Sequence, residues 1–245
     1  MRRTAIVTGV STGLGEALAA HLLAQDYDVL GVGRRPSSRL GGARFAFAQA
    51  DFAELDALEA TLAGAFAAIA ARKPRFVCLI NNAATVGGVG TLGTLGGAAI
   101  AADLAVNLAA PVIAADCFCR SFADPDCERR IVNVSSGAAQ APIAGASLYS
   151  VAKAGLEMLT RALAVERDER SFRAITLRPG IIDTPMQQAM RGQPAARLPA
   201  VAMFRDFHAS GRLVAPAEVA AKVVARLVEG AIDSGRTYTY AELEV

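Results

Sequence analysis

The chain has 245 residues, a length that suits one α/β domain with a substantial core, and no Pro/Gly/Ser linker or repeat divides it. Lys and Arg number 25 against 23 Asp and Glu, and the net charge of +2 provides no large field for nucleic acid or acidic membranes. Hydrophobic residues make up 53%, yet charged and glycine residues break the apolar runs before the ~20 residues that a membrane span requires.

Met1-Arg2-Arg3-Thr4 leads straight into the first predicted strand, Thr4 to Thr8, which predicts a cytosolic protein without a signal sequence. A turn, Gly9-Val10-Ser11-Thr12-Gly13-Leu14-Gly15, and a helical run from Glu16 to Leu23 follow. Such a glycine turn lets backbone amides approach a pyrophosphate, and the helix dipole favours the anion. Further strands are predicted over Asp28 to Gly33, Arg44 to Ala48, Phe76 to Ile80, Arg130 to Val134 and Arg173 to Leu177, with helices between them such as the alanine-rich Leu58 to Ala71. Alternation of this kind predicts a single Rossmann-type domain, a doubly wound parallel sheet of about seven strands with helices on both faces and the ligand outside their carboxyl ends.

The end of the second strand bears on the choice of nicotinamide cofactor. An acid there accepts from the ribose hydroxyls of NAD, whereas a 2′-phosphate needs cationic surroundings. Gly33-Arg34-Arg35 offers cations, with Ser37 close by, and predicts NADP(H); a solvated basic turn is the plainer alternative. Further on, Tyr149 and Lys153 stand four apart in a predicted helix and share a face. A neighbouring ammonium lowers a phenol's pKa, fitting Tyr149 to exchange a proton with an alkoxide near neutral pH, and the Ser136 hydroxyl can donate to the substrate oxygen as charge develops. Alone, a tyrosine and a lysine at this spacing are more often a surface pair.

Together these motifs resemble the short-chain dehydrogenase/reductase family along essentially the whole chain. Thr8 to Gly15 is similar to its T-G-x-x-x-G-x-G cofactor turn, Asn81-Asn82-Ala83-Ala84 to its N-N-A-G motif with Ala84 in place of glycine, and Asn107, Ser136, Tyr149 and Lys153 to its catalytic tetrad. Pro179-Gly180-Ile181-Ile182-Asp183-Thr184 is similar to the segment whose backbone, at Ile182, and threonine hold the nicotinamide carboxamide, and Asp51-Phe52 to the pair at the adenine edge, although Asp51 alone reads as an N-cap. The resemblance implies hydride transfer between NADPH and a carbonyl carbon, with Tyr149 as acid, Lys153 also on the nicotinamide ribose, and Asn107 holding a water that links Lys153 to solvent. It also implies pairing of the helices around Asn107 and after Tyr149 into a homodimer or homotetramer.

Within the family, Asp183-Thr184-Pro185-Met186-Gln187 resembles the sepiapterin reductase and benzil reductase branch. Sepiapterin reductases anchor the pterin on an acid near the C-terminus, where this chain has Thr239, with Glu242 the nearest acid. That favours a dicarbonyl or aryl ketone over a pteridine. Non-catalytic NADP(H) binding and NAD-linked alcohol oxidation are the other readings, opposed by the complete tetrad and by Arg34. The substrate pocket is expected from Thr184 to Arg212, a long loop or lid carrying Met186, Met190, Met203, Phe204 and Phe207, with Ala138, Ile143 and Leu148 as further walls and no charge, which suits a neutral substrate. Met203, Phe204 and Phe207 could equally fill core. The cysteines, Cys78, Cys117, Cys119 and Cys127, read as reduced structural thiols, and His21 and His208 suit neither a base nor a ligand, so no metal is expected.

Overall fold

A computed structural model describes residues 3–243. Met1 and Arg2, on which the expectation of a leaderless start rests, lie outside the described residues. Seven parallel strands, β1 (Arg3–Thr8), β2 (Asp28–Gly33), β3 (Phe45–Gln49), β4 (Phe76–Asn81), β5 (Glu128–Val134), β6 (Phe172–Arg178) and β7 (Thr237–Thr239), form one sheet in the order β3-β2-β1-β4-β5-β6-β7. Because successive strand residues face opposite sides, Ala5 and Val7 enter one core, while Ile6 enters the other. The first core is closed by α1 (Gly13–Ala24) and α8 (Pro216–Val223), through Leu18, Leu22, Val219 and Val223. The second is closed by α2 (Leu55–Ala70) and α4 (Ala110–Ser121), through Leu58, Leu62, Phe66 and Phe118. Burial on both faces explains why β4 is apolar throughout. Chain direction across the sheet reverses between β1 and β4, and the crevice at their carboxyl ends is where such a fold binds ligands.

Two findings depart from the sequence expectations. The stretch from Thr184 to Arg212 is no long loop: it folds into α6 (Pro185–Arg191) and α7 (Val201–Ala209). Thr184 caps α6 by accepting from the Gln187 amide at 3.3 Å, and Pro185 occupies the first turn, where its missing N–H has no cost. The second concerns Gly97–Ser121, where α3 (Gly97–Leu104), a π turn at Ala105–Ala109 and α4 run together as 25 helical residues with a mean hydropathy of 1.8 in the most apolar window. That is long and apolar enough to cross a membrane by length and composition, because alanines carry the run past its few charges. Only 33% of the window is buried, but its polar inserts, Asp103 and Asn107, are buried and bonded to Gly88 and Thr85 of the β4–α3 connection, so the stretch is tied into the domain.

Candidate active site

Between β1 and α1 the backbone is left-handed at Gly9 (φ 75°) and Gly13 (φ 65°), as the turn requires. Space is equally limiting: a Cβ on Gly9 would lie 2.9 Å from the Ala83 Cα, and one on Gly15 would lie 2.3 Å from the Gly9 carbonyl oxygen. The Thr8 hydroxyl accepts from the amides of Asn82 and Ala83, each at 2.9 Å, and the Asn82 side chain donates back to the Thr8 carbonyl at 2.9 Å. Thr8 and Gly15 therefore brace the turn from behind, while the other expected positions of the turn line the cleft.

The remaining expected cofactor positions meet in one open cleft of about 1520 Å³: Gly9, Ser11, Thr12, Gly13 and Leu14 of the turn, Arg34, Arg35, Asp51 and Phe52 at one end, and Asn82, Ala83, Ala84, Pro179, Gly180, Ile182 and Thr184 along its length. Thr184 sits directly above the turn, since a Cβ on Gly13 would meet its Cγ2 at 3.3 Å. Arg34 and Arg35 are exposed and have no hydrogen-bond or ion-pair partner among the described residues. Ser37 is unavailable to them, being buried and bonded with Arg39 to the carboxylate of Glu16. Asp51 accepts from the Ala53 amide at 3.0 Å, so it caps its turn while also facing the cleft.

Ser136, Tyr149 and Lys153 line the middle of the same cleft. Ser136 caps a single 3-10 turn, Gly137–Ala139, accepting from the Ala138 amide at 3.2 Å, while Tyr149 and Lys153 lie one turn apart on α5 (Ser147–Glu166). The expected lowering of the Tyr149 pKa by Lys153 is absent. Burial pushes the phenol up to about 12, against a hydrogen bond from Ser136, and Asp103 adds to the rise. The Lys153 ammonium donates to the Val134 carbonyl at 2.8 Å, lies 5.4 Å from the Tyr149 ring centroid, and is pushed down to about 8 by burial, with Asp103 opposing. Asn107 is fully buried, outside the cleft, in the π turn. Its amide accepts from Thr85 N at 2.9 Å and donates to Thr85 O at 3.0 Å and Asp103 Oδ1 at 2.9 Å. Both donor hydrogens of the side chain are thus engaged in fixing the β4–α3 connection.

At the far end, Ala138, Ile143, Met186, Met190, Met203, Phe204 and Phe207 wall the cleft. Wall and core are not alternatives, because Met190, Phe204 and Tyr149 also pack on a small cluster with Val89, Ala146, Leu198 and Val201. Leu148 is buried behind the wall beside Gly88. Charge also reaches the cleft, contrary to expectation, through Asp103, Arg178 and Arg212. Arg178 is paired with Glu157 at 2.7 Å, and Arg212 with Asp206, its guanidinium 4.7 Å from the Phe207 ring centroid. Asp103 was detectable only as an acid one turn before Asn107 on the same helical face, and Arg178 only by preceding Pro179. Thr239 and Tyr240 touch the cleft, but Glu242 is occupied by Thr239 and Arg236 at 2.7 to 2.8 Å.

Similarity to known proteins runs over the same ground. The chain is 29% identical over 239 residues to the benzil reductase ((S)-benzoin forming) of Bacillus subtilis (strain 168), covering 97% of this chain and 98% of that one. It is 34% identical over 202 residues to the sepiapterin reductase of Meriones unguiculatus, covering 76% of each. Its fold matches a short chain dehydrogenase from Burkholderia cenocepacia J2315, solved in complex with NADP, with a TM-score of 0.75 and 28% identity over 97% of this chain and 95% of that one. A family model described as short chain dehydrogenase matches residues 3–195, most of the chain. Sheet order, cleft and sequence thus agree, and the chain belongs to the short-chain dehydrogenase family of oxidoreductases.

Proposed function

We propose that this oxidoreductase is an NADPH-dependent carbonyl reductase acting on a neutral ketone or 1,2-dicarbonyl of the aryl diketone type. The observation that carries this reading is that one cleft holds the glycine turn, Arg34 and Arg35 with no partner among the described residues, and the residues Ser136, Tyr149 and Lys153, and continues into an apolar wall. The residues fit the cofactor: Gly9 and Gly13 expose backbone to the cleft at a helix N-terminus, which suits a pyrophosphate, and two guanidinium groups without a partner among the described residues suit a 2′-phosphate. When bound, the nicotinamide supplies the hydride. The protein's own share is positional and protonic. The Tyr149 phenol, held protonated far above neutral pH, delivers its proton to the carbonyl oxygen, and the Ser136 hydroxyl donates to that oxygen as negative charge develops on it. Lys153 brings a positive charge to the same wall.

Kinship with benzil reductases supports a dicarbonyl substrate. Kinship with sepiapterin reductases keeps pteridine reduction as a second reading, but the acid nearest the C-terminus, Glu242, is already bonded within the chain. NADPH consumption, followed across benzil, other aryl diketones, simple ketones and sepiapterin and repeated with NADH, tests the reading: diketone turnover with NADPH is expected, and turnover of sepiapterin alone would transfer the assignment to pteridines. A second copy of the chain is proposed as partner. Val151, Met158 and Val165 recur every seventh residue on α5, 58%, 56% and 82% exposed, an apolar stripe on one helical face of a kind that pairs with its own copy.

A further inference from the structure

Gln140 follows the 3-10 turn that Ser136 caps, and both residues line the cleft, Gln140 as an exposed one at its edge. An amide can present either its oxygen or its nitrogen to a neighbour, but here the neighbour decides. Arg178 Nη1 stands 2.9 Å from Gln140 Oε1, and a guanidinium has donors only, so the oxygen must face it. Arg178 is itself immobilised, donating from Nε and Nη2 to the two carboxylate oxygens of Glu157 at 2.8 and 2.7 Å. Glu157 in turn accepts from the Ser135 hydroxyl at 3.0 Å, so the chain of bonds begins beside the residue that precedes Ser136. At its other end the Gln140 Nε2 group, with two N–H donors, has no acceptor among the described residues.

We propose that the Gln140 amide nitrogen is a specificity-determining donor that binds the second oxygen of a 1,2-dicarbonyl, while Ser136 and Tyr149 hold the carbonyl that is reduced. Resting on the carbonyl reductase reading, it narrows the substrate class. The oxygens of a 1,2-dicarbonyl belong to adjacent carbons, and Gln140 and Ser136 are the two ends of one short turn, so a single rigid element presents a donor to each. Arg178 and Glu157 are positioning residues: they prevent the amide from rotating and offering its oxygen, which would repel a carbonyl. A monoketone makes no use of the second donor.

The test compares benzil with its monoketone analogue, in which a methylene replaces the second carbonyl, as a ratio of kcat/KM values with NADPH. Gln140→Glu keeps an acceptor for Arg178 and strips the donor, and Gln140→Leu strips the donor without adding charge. Both variants are expected to lower the benzil to monoketone ratio about tenfold, the scale of one hydrogen bond to a neutral carbonyl. Arg178→Met, which frees the amide to rotate, should lower the ratio in the same direction. A ratio that stays at the wild-type value in both Gln140 variants, with both ketones still reduced, would overturn the donor role and leave the carbonyl reductase reading standing. A wild-type enzyme that binds NADPH but reduces neither ketone would overturn that reading and this inference with it.

Discussion

Lys153 is a buried ammonium whose bond goes to a backbone carbonyl, and among the described residues the carboxylate bearing on it is Asp103. Tyr149 on its own helix also feels Asp103, while Glu157, one turn beyond Lys153, is taken up by Arg178. The reductive kcat/KM is therefore expected to fall as pH rises through about 8, where Lys153 loses its proton, while Tyr149, at about 12, remains an acid throughout. Asp103→Asn removes the charge that supports the ammonium and should move that limb to lower pH. Linkage gives the sign for stability. From about 8 to the ordinary lysine value of 10.5 the unfolded chain binds a proton that folded Lys153 has released, so the unliganded protein's Tm should rise with pH from about 8 to 9 and turn down above that, where burial keeps the Cys78, Cys119 and Cys127 thiols protonated in the folded state and, above 10, Tyr27 and Tyr149 act in the same opposing sense.

Tyr149→Phe is expected to keep NADPH affinity and lose on the order of 100-fold or more in kcat, checked by single-turnover kinetics beside a binding titration. Arg34→Ala should weaken NADPH by about 1.5–3 kcal/mol and leave NADH almost untouched; equal losses for the two cofactors would remove the 2′-phosphate role. The grouping of Ser136, Tyr149 and Lys153 in one cleft was legible because their residue types and spacing suit one chemistry. The protonation states were not, since they follow from depth of burial and from Val134 and Asp103, which no spacing rule connects to α5.

Glycine turn and helix α1 form an element whose tolerance is set by contact distances. Gly15→Ala places a methyl carbon against the Gly9 carbonyl and the Asn82 side chain, at 2.3 and 2.4 Å before any relaxation. Overpacking of this kind costs about 1–3 kcal/mol, and the variant should show that loss in urea unfolding together with weaker cofactor binding, because Asn82 and the turn shift as one unit. Strands were readable from β-branched runs and their flanking turns, and the order of the sheet from strict strand-helix alternation. The two helices beyond Thr184 leave a weaker trace in the sequence, although Thr184-Pro185 is a cap followed by a first-turn proline: seven and nine residues are too short for periodicity to stand out. The π turn around Asn107 had no sequence signal, because it is held by side-chain bonds to a distant connection.

For the whole molecule, the stripe of Val151, Met158 and Val165 predicts self-association. Light scattering is expected to give a dimer or tetramer for the wild type, and Met158→Glu, which puts charge in the centre of the stripe, should shift it toward monomer. The two main cores flank the sheet and support the cofactor half of the cleft, whereas the substrate half leans on the small third cluster, assembled from Val89, Ala146, Met190, Leu198 and Val201. Beside that third cluster the chain passes closely at Gly145, where an added Cβ would lie 2.7 Å from the Arg197 carbonyl oxygen and 2.8 Å from Pro199. The Gly145 carbonyl accepts from the Gly90 amide of the β4–α3 connection at 2.8 Å. Selectivity is thereby tied to the catalytic helix, because Tyr149 packs on this same cluster. A lineage, or an engineer, that redesigns the surfaces meeting over Gly145 also shifts the footing of the proton donor, so a change of accepted molecule carries a change of chemistry with it.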